Sequence, residues 1–321
     1  VLTRISNTPR DYAWGSTTLI ADLEGREPSG RPEAEVWFGD HPGSPSAVHD
    51  GTGRTLDDWL PAEVAADTDA PTRLPYLLKL LAAGAPLSIQ AHPSKAQAEE
   101  GFAREEAAGI ARDAGDRNYK DDNHKPELIV ALSDPFVALA GLRDLDATLR
   151  LVDALGDDAR PLRDHLEGAD AAAALRATIG WLLGSASRTD VERIIGAAVA
   201  AESQEFAAEL ALARSLADAY PADPGVVVAL LMNLVSLPRG GAIFVPAGVL
   251  HAYVSGLGVE LMAASDNVLR GGLTPKHIDV DELLGLLDAA PSAPPILTPV
   301  ALDGSSELFD AGVPDFALLH A

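Results

Sequence analysis

Two stretches carry side chains able to hold a metal ion or to move a proton. Leu87–Pro93 alternates apolar or small residues with Ser88, Gln90 and His92. A strand sends every second side chain to one face, so these three share a face. Pro93 ends that strand, because proline cannot donate to a ladder. In Asn123–Leu128, Lys125 precedes Pro126 and is held extended, so Lys125 and Glu127 point the same way, with Ile129 and Ala131 continuing their face. One stretch offers an amide and an imidazole, the other an ammonium and a carboxylate. Together they make half of a metal site.

The other half lies in Gly240–His251. Its pattern predicts a strand over Ala242–Val245, a tight turn made by Pro246 and Gly248, and a return strand presenting His251 and Tyr253. This resembles the second half-motif of the cupin barrels. The first half-motif of those barrels, a His-x-His pair with a nearby Glu, is altered: Gln90-x-His92 replaces the histidine pair and Glu127 follows an insertion. Gln90, His92, Glu127 and His251 would leave a divalent ion with about one net positive charge, which suits a Lewis acid. The competing reading is a set of buried polar residues that satisfy one another in a barrel core.

The elements that must position these groups are legible in outline. The stretch 1–71 is rich in turn formers with short alternating runs such as Ala34–Phe38, and reads as short strands. Its Trp14, Trp37 and Trp59 read as packing residues, and His41 and His49 as solvent-facing. A strand is expected at 74–81. A helix should start at Ser94, with Gln97 at the capping-box position, and end near Ala108, followed by a surface loop over 111–123. From 143 to 237 alanine and leucine recur at helical spacing, predicting five or six helices with no strand. Caps are expected at Thr189, with Glu192, and at Asp223, before Pro224. His165 is the segment's only histidine and reads as a surface residue. Strands return over 242–262. The fold class is therefore mainly β with an all-α insertion: a cupin-like domain over 1–142 and 238–292, a helical domain over 143–237, and the beginning of a further β domain over 293–321, read as incomplete.

Composition bounds the function. The 321 residues carry 24 Lys plus Arg against 48 Asp plus Glu, for a net charge of −24. Such a surface disfavours nucleic acid and anionic membranes as partners. No run approaches the length of a membrane span and no secretory leader is read, so a cytoplasmic monomer is expected. With no cysteine, thiolate ligands and cysteine nucleophiles are excluded, and any metal must take imidazole, carboxylate or amide ligands. Only five of the cationic residues are lysines: Lys79, Lys95, Lys120, Lys125 and Lys276. Their clustering about the polar motifs suggests a use for compact ammonium groups, as in holding an anion.

A third region, Gly258–His277, contains Glu260, Asp266, Arg270 and Lys276. With Gln90-x-His-Pro93, Asn123-His-Lys-Pro-Glu127 and Pro246-Ala-Gly-x-x-His251, and with Tyr12-Ala-Trp-Gly15 and Ala34-Glu-Val-Trp-Phe-Gly39-x-His-Pro42 near the start, it closely resembles the type I mannose-6-phosphate isomerases. The resemblance implies an aldose–ketose isomerase acting on mannose 6-phosphate and fructose 6-phosphate with one Zn2+ per chain. It places Gln90, His92, Glu127 and His251 on zinc-ligand positions and Arg270 on the catalytic arginine. It puts Lys79, Ser88, His124, Lys125, Glu260 and Asp266 in the pocket.

The residues fit that chemistry. Moving a carbonyl between adjacent carbons passes through an enediolate, and Arg270, which keeps its proton, suits stabilising it. Lys125 is a candidate base because burial and a cation lower a lysine pKa; Glu260 and a His124–Asp266 pair are rivals. Ser88, Lys79, Lys276 and Tyr253 are expected to bind substrate, with Lys79 foremost for the phosphate. A sugar-phosphate-binding cupin without activity and a cupin dioxygenase are the competing classes. The intact Arg270 and four ligand positions weigh against the first, and Gln90 and the lysines against the second.

Overall fold

The alternating runs become strands, and the computed structural model describes residues 2–64, 72–168 and 170–321. In chain order the first part comprises β1 (Ile5–Ser6), α1 (Leu19–Glu24), β2 (Glu35–Phe38), β3 (Ala47–Val48), α2 (Leu56–Val64), β4 (Tyr76–Ala83), β5 (Ile89–Ala91), α3 (Lys95–Ala107), β6 (Glu127–Ala131) and β7 (Phe136–Leu142). Six α-helices follow: α4 (Leu145–Ala154), α5 (Arg160–His165), α6 (Ala171–Gly180), α7 (Arg188–Ala200), α8 (Ala207–Ala219) and α9 (Gly225–Leu230). The chain then returns to β8 (Met232–Leu237), β9 (Ala242–Val245), β10 (His251–Ala263) and β11 (Leu269–Gly272), makes α10 (Val280–Leu286), and ends in β12 (Ile296–Leu297), β13 (Val300–Ala301), β14 (Glu307–Phe309) and β15 (Leu318–His320).

One strand joins the two halves of the cupin-like sheet system. The later residues of β10 pair with β4 and β6, while its first residues pair with β5 and β7. Between Tyr253 and Ser255 the register shifts, so one extra residue lies opposite Val137–Ala138. A regular strand would send odd and even positions to opposite faces, and a one-residue bulge exchanges them. His251 and Tyr253 before the bulge and Glu260 after it can therefore face the same side.

The helical segment packs on this sheet through one continuous core. Ile194, Leu216 and Leu230 from the helices cluster with Ile89, Leu139 and Ala252 from the β elements. The expected strand-free run to 237 is corrected at its end: Met232–Leu237 is β8, hydrogen-bonded to β7. Its apolar sequence suits either state, and the open edge of β7 decides it. The cap of α7 also differs. Ser187, not Thr189, accepts from the Asp190 N–H at 3.1 Å, two residues earlier than expected. The capping box of α3 forms as expected, with Ser94 N donating to Gln97 Oε1 at 2.9 Å. The stretch 1–71 holds, besides its short strands, helices α1 and α2, the latter favoured by Asp57 and Asp58 in its first turn. Residues 65–71 of that stretch lie outside the described residues.

The closing β segment covers one face of the sheet formed by β6, β9 and β10. Phe309 on β14, 1% exposed, and Phe316 pack against Leu128, Val130, Ala242 and Leu261. Phe309→Ala should lower unfolding stability by about 3–5 kcal/mol, the scale for deleting a buried aromatic ring, measured by urea denaturation with one cooperative transition retained.

Candidate active site

Three strand ends bring the site together. His92 follows β5, Glu127 opens β6 and His251 opens β10. Gln90 on β5 is the register partner of both His251 on β10 and Arg270 on β11, so amide, imidazole and guanidinium come from three adjacent strands. The Pro246–Gly248 turn is tied to this point by Gly248 N–H donating to His92 O at 2.9 Å. Gly248 adopts φ 79°, and a side chain there would meet Leu286 O at 2.7 Å, so the turn needs glycine.

His92, Glu127 and His251 are each at most 1% exposed, and their donor atoms all lie within 4.8 Å of one another. His92 Nδ1 donates to Asn267 O at 2.8 Å, and His251 Nδ1 faces Val249 O at 3.2 Å. With protons on Nδ1, both Nε2 lone pairs point at the Glu127 carboxylate, at 3.1 Å from Oε1 and 3.0 Å from Oε2. His92 Nε2 is buried without a hydrogen-bond partner. Burial, with Lys125 adding to it, lowers the His92 pKa to about 4, so this imidazole is neutral at pH 7. Burial alone would raise the pKa of Glu127, but the Lys125 ammonium beside it holds it well below the ordinary carboxylate range. Two lone pairs converging on an anion repel one another unless a cation sits among them. The donor set therefore fits a divalent metal, with Nδ1 bonds to backbone carbonyls fixing the rings, as metal-binding histidines require. Asn267 is fixed in turn: its Oδ1 accepts from Lys120 N at 2.7 Å and its Nδ2 donates to Asp121 O at 2.8 Å.

A cleft of ≈ 490 Å³ opens over this set. Of the residues singled out from sequence, Lys79, Ser88, Gln90, Lys125, Glu127, Tyr253, Glu260, Arg270 and Lys276 line it. His92 and His251 stand just beneath, against Glu127. The buried Tyr253 hydroxyl has no partner, and burial followed by Glu127 and Glu260 raises its pKa well above 10, so it keeps its proton and can donate.

Two expectations are corrected here. His124 and Asp266 do not pair, and neither lines this cleft. His124 Nε2 lies 2.8 Å from Asp315 Oδ2, and Asp266 lies 3.1 Å from His41 Nε2. The closing β segment and the 39–43 loop supply partners that short-range sequence cannot indicate. Nor is Lys79 a free cation. Its Nζ lies 2.9 Å from Glu260 Oε2 and 3.5 Å from Glu35 Oε1. Burial opposes its charge, but Glu260, Glu35 and Glu127 outweigh it and hold the ammonium protonated. Lys125 is likewise engaged, 3.0 Å from Glu127 Oε1. Arg270 and Lys276 differ: among the described residues neither has a carboxylate within 4.0 Å, and burial lowers the pKa of both.

The sequence reading missed Glu35, which accepts from Trp37 Nε1 at 2.8 Å and meets Lys79. Alternation within Ala34–Phe38 could have placed it on the face of Trp37. It also missed Tyr220, the cleft residue contributed by the turn after α8; nothing in its local sequence marks it.

Residues 2–145 match the family model described as the phosphomannose isomerase type I catalytic domain. The mannose-6-phosphate isomerase of Escherichia coli K12 is 38% identical over 331 residues, covering 99% of this chain and 83% of that protein. The Bos taurus enzyme of the same name is 33% identical, covering 98% and 80%. The solved structure of mannose 6-phosphate isomerase from Salmonella typhimurium bound to substrate, fructose 6-phosphate, and zinc superposes with a TM-score of 0.89 at 36% identity, over 99% of this chain and 83% of that one. With that likeness running over nearly its whole length, the chain belongs to the type I phosphomannose isomerase family.

Proposed function

We propose that this chain interconverts mannose 6-phosphate and fructose 6-phosphate in the described cleft, with one zinc ion held by Gln90, His92, Glu127 and His251. The observation that carries the reading is the convergence of two buried imidazoles and a carboxylate, their ligand atoms all within 4.8 Å of one another, beneath a cleft onto which Arg270 and Lys276 face. The Salmonella typhimurium relative, bound to fructose 6-phosphate and zinc, supports it. When bound, zinc supplies a Lewis acid that draws developing negative charge onto the substrate's oxygens.

The chain's own groups divide the remaining work. The reaction moves one proton between adjacent carbons through an enediolate. Glu260 is our candidate carrier, because it lines the cleft and burial raises its pKa against the pull of Lys79, which makes it a stronger base than an exposed carboxylate. Lys79, fixed between Glu260 and Glu35, orients that carboxylate and limits its charge. The guanidinium of Arg270 cannot lose its proton and faces the cleft without a carboxylate, so it is suited to the negative charge of the enediolate. Tyr253 and Ser88 offer hydroxyls to the sugar. Lys276, exposed at the mouth, meets the phosphate, which carries about −1.5 to −2 charges at pH 7. This moves the phosphate role from Lys79 to Lys276.

Residues 143–237 act, in this proposal, as an inserted helical domain between the two parts of the cupin-like domain, with 293–321 belonging to a further β domain. Its histidine, His165, stacks on Trp181 at 4.0 Å, outside the donor set. Among the described residues no helix is long and apolar enough to cross a membrane. Substrates that are phosphate dianions do not cross a bilayer unaided, which supports a cytoplasmic site of action.

Chelation should abolish fructose 6-phosphate formation and added zinc should restore it. His251→Ala should lose bound metal by elemental analysis, whereas His165→Ala should retain both metal and activity; full turnover by a metal-free chain would refute the reading. Steady-state kinetics should separate the other roles. Arg270→Ala should lower kcat by about 10²–10³ with little change in KM, as for loss of one oxyanion donor. Glu260→Gln should lower kcat by about 10²–10⁴, the range for a general base. Lys276→Ala should raise KM and largely spare kcat.

A further inference from the structure

The segment that joins Arg270 to Lys276 is held from the helical side. Asp223, in the turn between α8 and α9, accepts from Leu273 N–H at 3.2 Å through Oδ1 and from Thr274 N–H at 3.1 Å through Oδ2. The same Oδ1 accepts from Gly225 N–H at 2.7 Å. The two backbones also touch: a Cβ on Gly272 would lie 2.3 Å from Gly225 Cα, and one on Gly225 would lie 2.4 Å from Leu273 N. Both sides are in unfavourable conformations. Ala222 (φ 61°) and Leu273 (φ 54°) are the two non-glycine residues with positive φ among the described residues, and they lie on opposite sides of this contact. Such backbone persists only where its surroundings hold it. The turn also reaches the other rim, since Tyr220 Oη donates to Pro86 O at 2.8 Å. Leu273, Thr274, Pro275 and Lys276 all line the cleft.

We infer that Asp223 is a positioning residue for substrate binding: its carboxylate fixes the Leu273–Thr274 backbone and thereby sets where Lys276 stands at the cleft mouth. This rests on the reading that Lys276 meets the phosphate. Arg270 is held independently, by the β11 ladder to Gln90, so loss of Asp223 acts on the binding end of the loop and not on the guanidinium.

Asp223→Asn keeps one acceptor but turns an amide N–H₂ toward a backbone N–H. KM for mannose 6-phosphate and the inhibition constant for inorganic phosphate should both rise about 5- to 20-fold with kcat nearly kept, the scale of one or two hydrogen bonds lost. Asp223→Ser, which retains a shorter acceptor, should fall between. Asp170→Ala, which removes the α6 cap from Ala172 N–H, serves as the structural comparator: it should lower Tm without moving either constant. The double variant Asp223→Asn/Lys276→Ala should bind no more weakly than Lys276→Ala alone, since both act through one contact. A raised KM in Lys276→Ala with none in Asp223→Asn would overturn the positioning role and leave the phosphate reading standing. Unchanged KM in both would overturn the two together. Additive effects in the double variant, or loss of the folded state in both Asp223 variants, would make Asp223 a structural residue only.

Discussion

The chemistry of this protein depends on one extra residue in one strand. His251 and Glu260 are separated by an odd number of positions, and a regular strand would send them to opposite faces. The bulge between Tyr253 and Ser255 exchanges the faces part-way along β10. The His251 imidazole at the strand's start and the carboxylate opposite Lys79 then lie on the cleft side of the sheet. Because β10 pairs with β5 and β7 at one end and with β4 and β6 at the other, the bulge also sets how the two halves of the sheet system meet.

Around that strand, buried charges compensate one another in two groups. Lys79 lies between Glu35 and Glu260, and Lys125 lies against Glu127, which faces the two imidazoles. An unpaired charge at such depth is strongly destabilising, so each group constrains the positions of its members. The consequence is a division of labour among cations. Those at the floor are neutralised and serve to orient carboxylates. Arg270 and Lys276, with no carboxylate within 4.0 Å among the described residues, are the cations we propose to face an anion. In a chain of net charge −24, that exception is local and falls at the cleft.

The helical segment contributes by holding the rim more than by chemistry. Its apolar faces continue the core beneath β5, β7 and β11, and the turn after α8 grips both sides of the mouth through Tyr220 and Asp223. The closing β segment has a parallel part on the other side, where Phe309 and Phe316 cover the catalytic sheet and Asp315 engages His124 beside Lys125.

The sequence by itself determined what local rules govern. Alternation placed Ser88 and Gln90 on one strand face, Pro246 and Gly248 made the turn before His251, and Ser94 with Gln97 made a capping box, because each depends on residues a few positions apart. Motif order was enough to indicate the family and to single out His92, Glu127 and His251, which the fold brings together. What spans the chain was decided only by tertiary structure. Whether 232–237 is helix or strand depended on the open edge of β7. Which carboxylate neutralises Lys79, which residue meets His124, that Tyr220 reaches Pro86 and that Asp223 holds Leu273 are contacts between segments 44 to 191 residues apart. Electrostatic pairing falls off with distance in space, not along the chain, so no spacing rule could have assigned them.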